Sequence, residues 1–177
     1  MDKKRKEELQ GLLIDALREE REIFNEETGI ELKKKCEEVL QLRNQLIEAE
    51  EALKKDAGTF RSMFKKVEFT PHCNIAVGVA EQINGKLEEL EGYEDVSETL
   101  DETVSLFLKY LYLYTTALSR AARSQCDIAC RLNQKSVAEA NIPYTYKQFK
   151  RDTVEYNMWT DRYASLAGEL SVLYDKL

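Results

Sequence analysis

Apolar residues in the first third of the chain recur every seven positions, in two stripes of different phase. The first stripe contains Leu9, Ala16, Ile23 and Ile30. The second stripe contains Leu32, Val39, Leu46, Leu53, Phe60 and Val67. A seven-residue repeat predicts long amphipathic helix, but the nine residues from Ile23 to Leu32 rotate a helix by about 180°. The two stripes therefore cannot share one face of a straight helix.

The change of phase falls near Gly29, in the segment Asn25-Glu26-Glu27-Thr28-Gly29. Glycine weakens a helix interior and is common where helices end. The segment therefore predicts either a kink near residue 29 in one helix over about residues 3–56, or a tight helical hairpin. A continuous helix is favoured, because no proline or polar loop accompanies the glycine.

Start and stop signals divide the rest of the chain into three more helices. Thr70-Pro71 predicts a helix over residues 71–91, with Thr70 as its cap. A helix over residues 96–140 is expected to end before Pro143, because proline removes a backbone donor. A last helix is expected over residues 145–176. Two capping boxes compete for the start of the third helix, namely Asp95 with Glu98 and Thr99 with Glu102.

The apolar faces of these helices define a core. With only 7 Gly and 2 Pro in 177 residues, the composition argues against a many-stranded sheet. We therefore predict an all-α fold, a single elongated domain over residues 1–177 built as a bundle of about four long amphipathic helices with coiled-coil packing. The residues expected at helix–helix interfaces are Leu32, Val39, Leu46, Leu53, Phe107, Leu111, Tyr114, Leu118, Tyr156, Trp159 and Tyr163.

Charge is distributed unevenly, although the chain is acidic overall. The formal net charge is −7, which argues against generic binding to nucleic acid. Residues 81–102 contain nine acids and one base, whereas residues 103–151 contain eight bases and two acids. This basic run is expected either to form a solvated face or to bind lipid headgroups or an acidic protein surface. Its bases are Lys109, Arg120, Arg123, Arg131, Lys135, Lys147, Lys150 and Arg151.

No motif for catalysis or cofactor binding is recognisable in the sequence. There is one histidine, His72, and there is no glycine-rich phosphate loop or nucleophile elbow. His72 and Cys73 with Cys126 and Cys130 offer zinc ligand types, but adjacent residues point in different directions, which favours free thiols. We therefore expect neither an enzyme nor a cofactor or metal site, and no small-molecule substrate.

Two stretches in the second half of the chain resemble the BAR domain of sorting nexins. The first is the Leu- and Tyr-rich run TVSLFLKYLYLY at residues 103–114, which is followed by Arg120, Arg123 and Arg131. The second is the run KQFKRDTVEY at residues 147–156. The resemblance implies a crescent-shaped dimer of three-helix coiled coils whose basic concave face senses or shapes curved membranes.

The sequence favours a non-enzymatic helical interaction or scaffold module that forms a homodimer or binds a helical protein partner. In the form that the resemblance implies, the module binds curved anionic membranes. The alternative is a soluble coiled-coil subunit or adaptor of a larger protein complex, with no lipid contact. The chain start lacks the apolar core of a signal peptide, and no apolar run approaches the ~18 residues of a membrane span. We therefore expect a cytoplasmic protein that at most lies at the membrane periphery.

Overall fold

The computed structural model describes residues 2–57, 68–137 and 144–177. Within these ranges the chain forms α-helices and one 3-10 helix, and no strand, which confirms the all-α class. The elements are α1 (Lys3–Ala57), α2 (Thr70–Glu91), the 3-10 helix η1 (Glu94–Thr99), α3 (Glu102–Val137) and α4 (Tyr146–Lys176). Phe60, Val67, Pro143 and the predicted helix end at residue 140 lie outside the described residues.

The α-helices pack into a bundle in which consecutive helices run antiparallel. Between α1 and α2, Tyr93 donates a hydrogen bond to Glu31 and Lys86 donates one to Glu38, so residue numbers rise on one helix as they fall on the other. The same reversal relates α2 to α3 and α3 to α4. It is seen in the pairs Glu91 with Tyr112, Asn84 with Ser119, Phe107 with Tyr174 and Arg131 with Asp152.

Helix α3 contacts each of the other three α-helices, and the most buried side chains lie along it. The predicted helix–helix residues are inside this core, with the exception of the half-buried Trp159. The seam that these residues form therefore lies within one chain. The buried members are Leu32, Val39, Leu46, Leu53, Phe107, Leu111, Tyr114, Leu118, Tyr156 and Tyr163.

Helix α1 passes through Gly29 without a break, so no hairpin forms there. Gly29 is buried, and a Cβ added to it would lie 3.8 Å from Leu177 Cδ2. The buried face of α1 starts at Asn25 and continues through Thr28 into the second apolar stripe. The first stripe therefore faces away from the bundle, as the 180° rotation between the stripes requires.

The start of α3 differs from both capping boxes considered in the sequence. Residues 94–99 form the 3-10 helix, Leu100 is extended, and α3 begins only at Glu102. The Asp101 carboxylate caps α3, because its Oδ1 accepts a hydrogen bond from Val104 N at 2.9 Å. Asn25 Oδ1 accepts from Asp101 N at 2.7 Å. A residue of α1 therefore completes this cap, in place of the acidic residue of a local capping box.

The first turns of α2 and α4 differ in how they are capped. In α2 the N-cap position is Phe69, and Thr70 instead donates a hydrogen bond from Oγ1 to Asn133 Oδ1 at 3.0 Å. Thr70 therefore does not cap α2, because its hydroxyl joins that helix to α3. In α4 the N-cap is Thr145, which forms a complete capping box with Gln148.

Candidate functional site

Residues 3–24 of α1 form an arm that continues beyond the end of the bundle. Every residue from position 2 to position 24 is exposed, and Asn25 is the first buried residue. At 1.5 Å per residue, the arm is about 33 Å long. Apart from the base of the arm, where Arg21 bonds Thr99, its side chains are exposed, so the arm is the largest unpartnered feature of the described chain.

The arm presents a continuous apolar stripe to solvent. Its large side chains are each between 37% and 67% exposed. In helical projection they fall within about 140° of arc, centred on the side away from the first buried residues of α1, Asn25, Thr28 and Gly29. Isolated apolar side chains on a surface are ordinary, but a contiguous set of this kind marks an interaction site. The stripe consists of Leu9, Leu12, Leu13, Leu17, Ile23 and Phe24, with the small Ala16 between them.

Hydrogen bonds at the base of the arm fix its direction relative to the bundle. Asn25 Nδ2 donates to Arg21 O at 2.8 Å, and Asn25 Oδ1 receives the bond from Asp101 N described above. Arg21 Nε donates to Thr99 O at 3.2 Å. An open cavity of about 630 Å³ lies beside this junction, and Gly29 and Leu177 are among its lining residues. The arm therefore leaves the bundle in a direction set by these contacts at its base.

The predicted basic residues do not form one surface. Arg120, Arg123 and Arg131 line a common groove of about 340 Å³ between α3 and α4. Lys109 lines a separate groove with Glu91 and Glu94. Lys150 lies over the Tyr146 ring, at 5.1 Å from its centroid, while Lys147 and Arg151 are exposed on α4 outside the lining of the first groove. The side chain of Lys135 lies outside the described residues.

The groove between α3 and α4 has a balanced lining of three bases and three acids, the latter Asp127, Asp152 and Glu155. Arg131 Nη1 lies 2.7 Å from Asp152 Oδ2, and Tyr144 Oη donates to the same oxygen at 2.7 Å. Burial, and then the bond to this carboxylate, raise the pKa of Tyr144. Arg120 lies over the Trp159 ring, at 5.9 Å from its centroid. The groove suits a mixed polar contact better than a purely anionic one.

Three of the four cysteines meet between α2 and α3. Cys126 Sγ and Cys130 Sγ are 4.0 Å apart, and Cys73 lies close to Cys130. Burial raises the pKa of Cys73 to about 11 and also raises those of the other two thiols. His72 does not counter this effect, because its Nε2 bonds Asp56 Oδ2 at 2.7 Å. The thiols are therefore protonated at neutral pH and weakly nucleophilic.

Comparison with known proteins singles out no further site. No family model, no curated protein and no solved structure matches this chain. Among the described residues, no group of three or more His, Cys, Asp or Glu side chains is arranged to hold a metal ion. None of the helices in the described part of the chain combines the length and apolarity needed to cross a membrane. Among the described residues, the exposed stripe makes the arm the strongest candidate site.

Proposed function

We propose that this protein is a non-enzymatic helical interaction module whose arm binds a helical partner. The single observation that supports this function best is the exposed apolar stripe at residues 9–24, carried on the solvated segment of α1. A partner helix laid along the stripe would cover it in the same way that the bundle covers the buried residues of α1. Such helix-on-helix recognition is a common use of amphipathic helices.

The energetics of the arm support this proposal. Helical stability in proteins comes mostly from packing of an amphipathic face, and short isolated helices are marginal in water. Fully burying a large apolar side chain is worth about 1.5–3 kcal/mol. The stripe residues are on average about half exposed, so covering them would gain about 1 kcal/mol for each side chain. Six such residues would contribute about 6 kcal/mol, and the apolar surface that the partner buries would add to this against the cost of association.

The proposal includes coiled-coil packing as the architecture of the module. The seven-residue series at Leu32, Val39, Leu46 and Leu53 is buried along the whole bundle segment of α1. Antiparallel neighbours and regular heptad spacing are typical of bundles with coiled-coil contacts. With this packing the molecule is elongated. The same helix, α1, carries the buried series inside the bundle and the exposed stripe on the arm.

A protein partner is favoured over an anionic membrane. The seven predicted bases whose side chains are described are distributed over several surfaces, and the groove that holds three of them holds an equal number of acids. Binding to an anionic membrane grows with the number of bases that meet the same surface. The BAR-like membrane module remains the second candidate, and it is favoured by the resemblance at residues 103–114 and by the exposure of Arg120 and Arg123.

Crosslinking of the tagged full chain tests the proposed function. An amine-reactive crosslinker would attach to Lys3, Lys4 and Lys6 of the arm, and mass spectrometry would identify the peptides joined to them. We expect intermolecular crosslinks in the parent chain and their loss in Leu13→Gln/Leu17→Gln. The matched control, Asp15→Gln/Arg18→Gln, changes the far face of the arm without changing net charge and should retain the crosslinks. Crosslinks that persist in the stripe variant would contradict the proposal.

Sedimentation with vesicles separates the two candidates. The membrane module requires binding to vesicles that contain anionic lipid, lost in neutral vesicles or at high salt. The informative variant is Arg120→Glu/Arg123→Glu, because Arg131 is bonded to Asp152. We expect the parent chain to remain in the supernatant with both kinds of vesicle. Charge-dependent sedimentation that this variant abolishes would favour the membrane module instead.

A further inference from the structure

The apolar stripe of the arm carries opposite charges at its two ends. At 100° per residue, Arg5 and Lys6 lie beside the stripe at its outer end, and Glu20 and Glu27 lie on it near the bundle. The nearby charges of Glu7 and Arg18 point to the far side of the helix. All of these residues are exposed. The surface that a partner would meet therefore carries Arg5 and Lys6 against the single acid Asp2 at its outer end, and acids near the bundle.

The bases at the outer end of the arm occupy a helix N-terminus, where acidic residues are favoured. The first turn of α1 contains the cations at residues 3–6 and no acid. The partial positive charge at a helix N-terminus favours anions at this position and disfavours cations. These bases therefore gain nothing from the helix dipole. An acidic surface opposite them would offset the local repulsion.

We infer that the arm binds the arm of a second copy of this chain in antiparallel orientation. This inference rests on the proposed function and names the partner of the same surface. Antiparallel pairing can place Lys6 of one copy between Glu20 and Glu27 of the second copy. In this register Leu12 lies opposite Leu17, and Leu13 lies opposite Ala16. Parallel pairing in register would instead oppose bases with bases and acids with acids.

The length of the arm fits the same register. Residue 3 of one copy lies opposite residue 26 of the second, next to the first buried residue, Asn25. The two arms thus overlap along their whole exposed length. The two bundles lie at opposite ends of the paired arms, about 33 Å apart, and do not collide. Charge and length therefore favour this arrangement, in which Leu12, Leu13, Ala16 and Leu17 of both copies form the apolar centre.

Sedimentation equilibrium of the full chain, with charge-reversed variants, tests the inference. The tip-reversed variant is Arg5→Glu/Lys6→Glu, and the base-reversed variant is Glu20→Lys/Glu27→Lys. We expect the parent chain to form a dimer and each variant alone to dimerise roughly tenfold to a hundredfold more weakly. An equimolar mixture of the two variants should form a heterodimer, and the chain with all four changes should regain the homodimer. The far-side control, Glu7→Lys/Arg18→Glu, should dimerise like the parent.

The tip-reversed variant also tests whether weaker dimerisation could result from unfolding of the arm. It places acids in the first turn, where the helix dipole favours them, so circular dichroism should show equal or higher helicity. Unchanged dimerisation of either reversed variant would overturn the antiparallel arrangement. A monomer at every concentration would overturn self-pairing, while crosslinks from the arm to a different chain would retain the proposed function. A monomer without any crosslinks from the arm would contradict both.

Discussion

Two leucines of α1, one in the bundle and one in the arm, provide a direct test of which stripe is internal. Leu46 is 0% exposed in the bundle, whereas Leu13 is 61% exposed on the arm. Both are changed to alanine, so the chemical change and the helix are the same. The outcome is therefore determined by the surroundings of each side chain.

The expected magnitudes differ widely. Truncating a fully buried leucine removes its transfer free energy and leaves a cavity, which costs about 2–5 kcal/mol. This is a large part of the roughly 5–15 kcal/mol by which domains are stable. Leu13→Ala loses little packing, because most of the side chain is already in water, and alanine has the higher helix propensity. We expect a change of less than about 0.5 kcal/mol for this variant in the monomer.

Urea unfolding followed by circular dichroism measures both values. The experiment is run at a concentration at which sedimentation shows a monomer, so that association does not contribute. At this size, the Leu46→Ala variant should also melt lower by about 2–4 °C for each kcal/mol lost. If Leu13→Ala destabilised the monomer as much as Leu46→Ala, the first stripe would be part of the core, and the arm would not project.

Four further variants or conditions have definite expectations. Gly29→Ala should raise the free energy of unfolding by about 1 kcal/mol, because the residue is helical and a Cβ would make an ordinary contact, and a less stable variant would contradict this. Tyr163→Phe should melt at or above the parent temperature, since the buried Tyr163 hydroxyl has no hydrogen-bond partner among the described residues, and a clear loss would reveal a partner. Alkylation of Cys73 at pH about 8 should be at least tenfold slower in the folded chain than in urea, since burial raises its pKa to about 11, and equal rates would show an open thiol. The hydrogen bond from Lys35 lowers the pKa of Glu89 below its ordinary value of 4.5. The stability that this pair provides is therefore present above pH 4.5 and is lost as the pH falls below it. Lys35→Gln should therefore reduce the free energy of unfolding that is lost between about pH 5 and pH 3. The reduction should be less than about 1 kcal/mol, because the pair is exposed. An unchanged dependence of stability on pH would show that the Lys35–Glu89 pair does not contribute.

Local pattern was sufficient for the class of the fold and for much of the core. The seven-residue repeat from Leu32 to Leu53 is buried, because heptad spacing keeps those side chains on one face of a helix. Thr145 starts the last helix through a capping box that can be read within four residues. Such features depend on neighbours in sequence, so a single sequence reveals them.

Other features depend on contacts between distant segments. Asn25 and Asp101 are separated by 76 residues, and their hydrogen bond decides where α3 begins. The hydroxyl of Thr70 could cap α2, but it donates a hydrogen bond to Asn133 and so joins α2 to α3. The distribution of the basic residues follows from the rotation of α3 relative to α4, which no local pattern determines. Asn25 and Thr28 lie seven and four residues before Leu32, so they share a helix face with the second stripe. This spacing was the signal in the sequence that the buried face of α1 starts before Leu32.

The central claim is that two arms pair in antiparallel orientation, and one distance tests it most directly. A spin label carried on a non-natural amino acid at position Lys4 allows the distance between the two copies to be measured by pulsed electron resonance. In the antiparallel register residue 4 lies opposite residue 25, so the two labels should be about 30 Å apart along the arms. A distance below about 20 Å would indicate parallel arms, because interaxial distances are only about 8–10 Å. The absence of any intermolecular distance at high concentration would contradict pairing altogether.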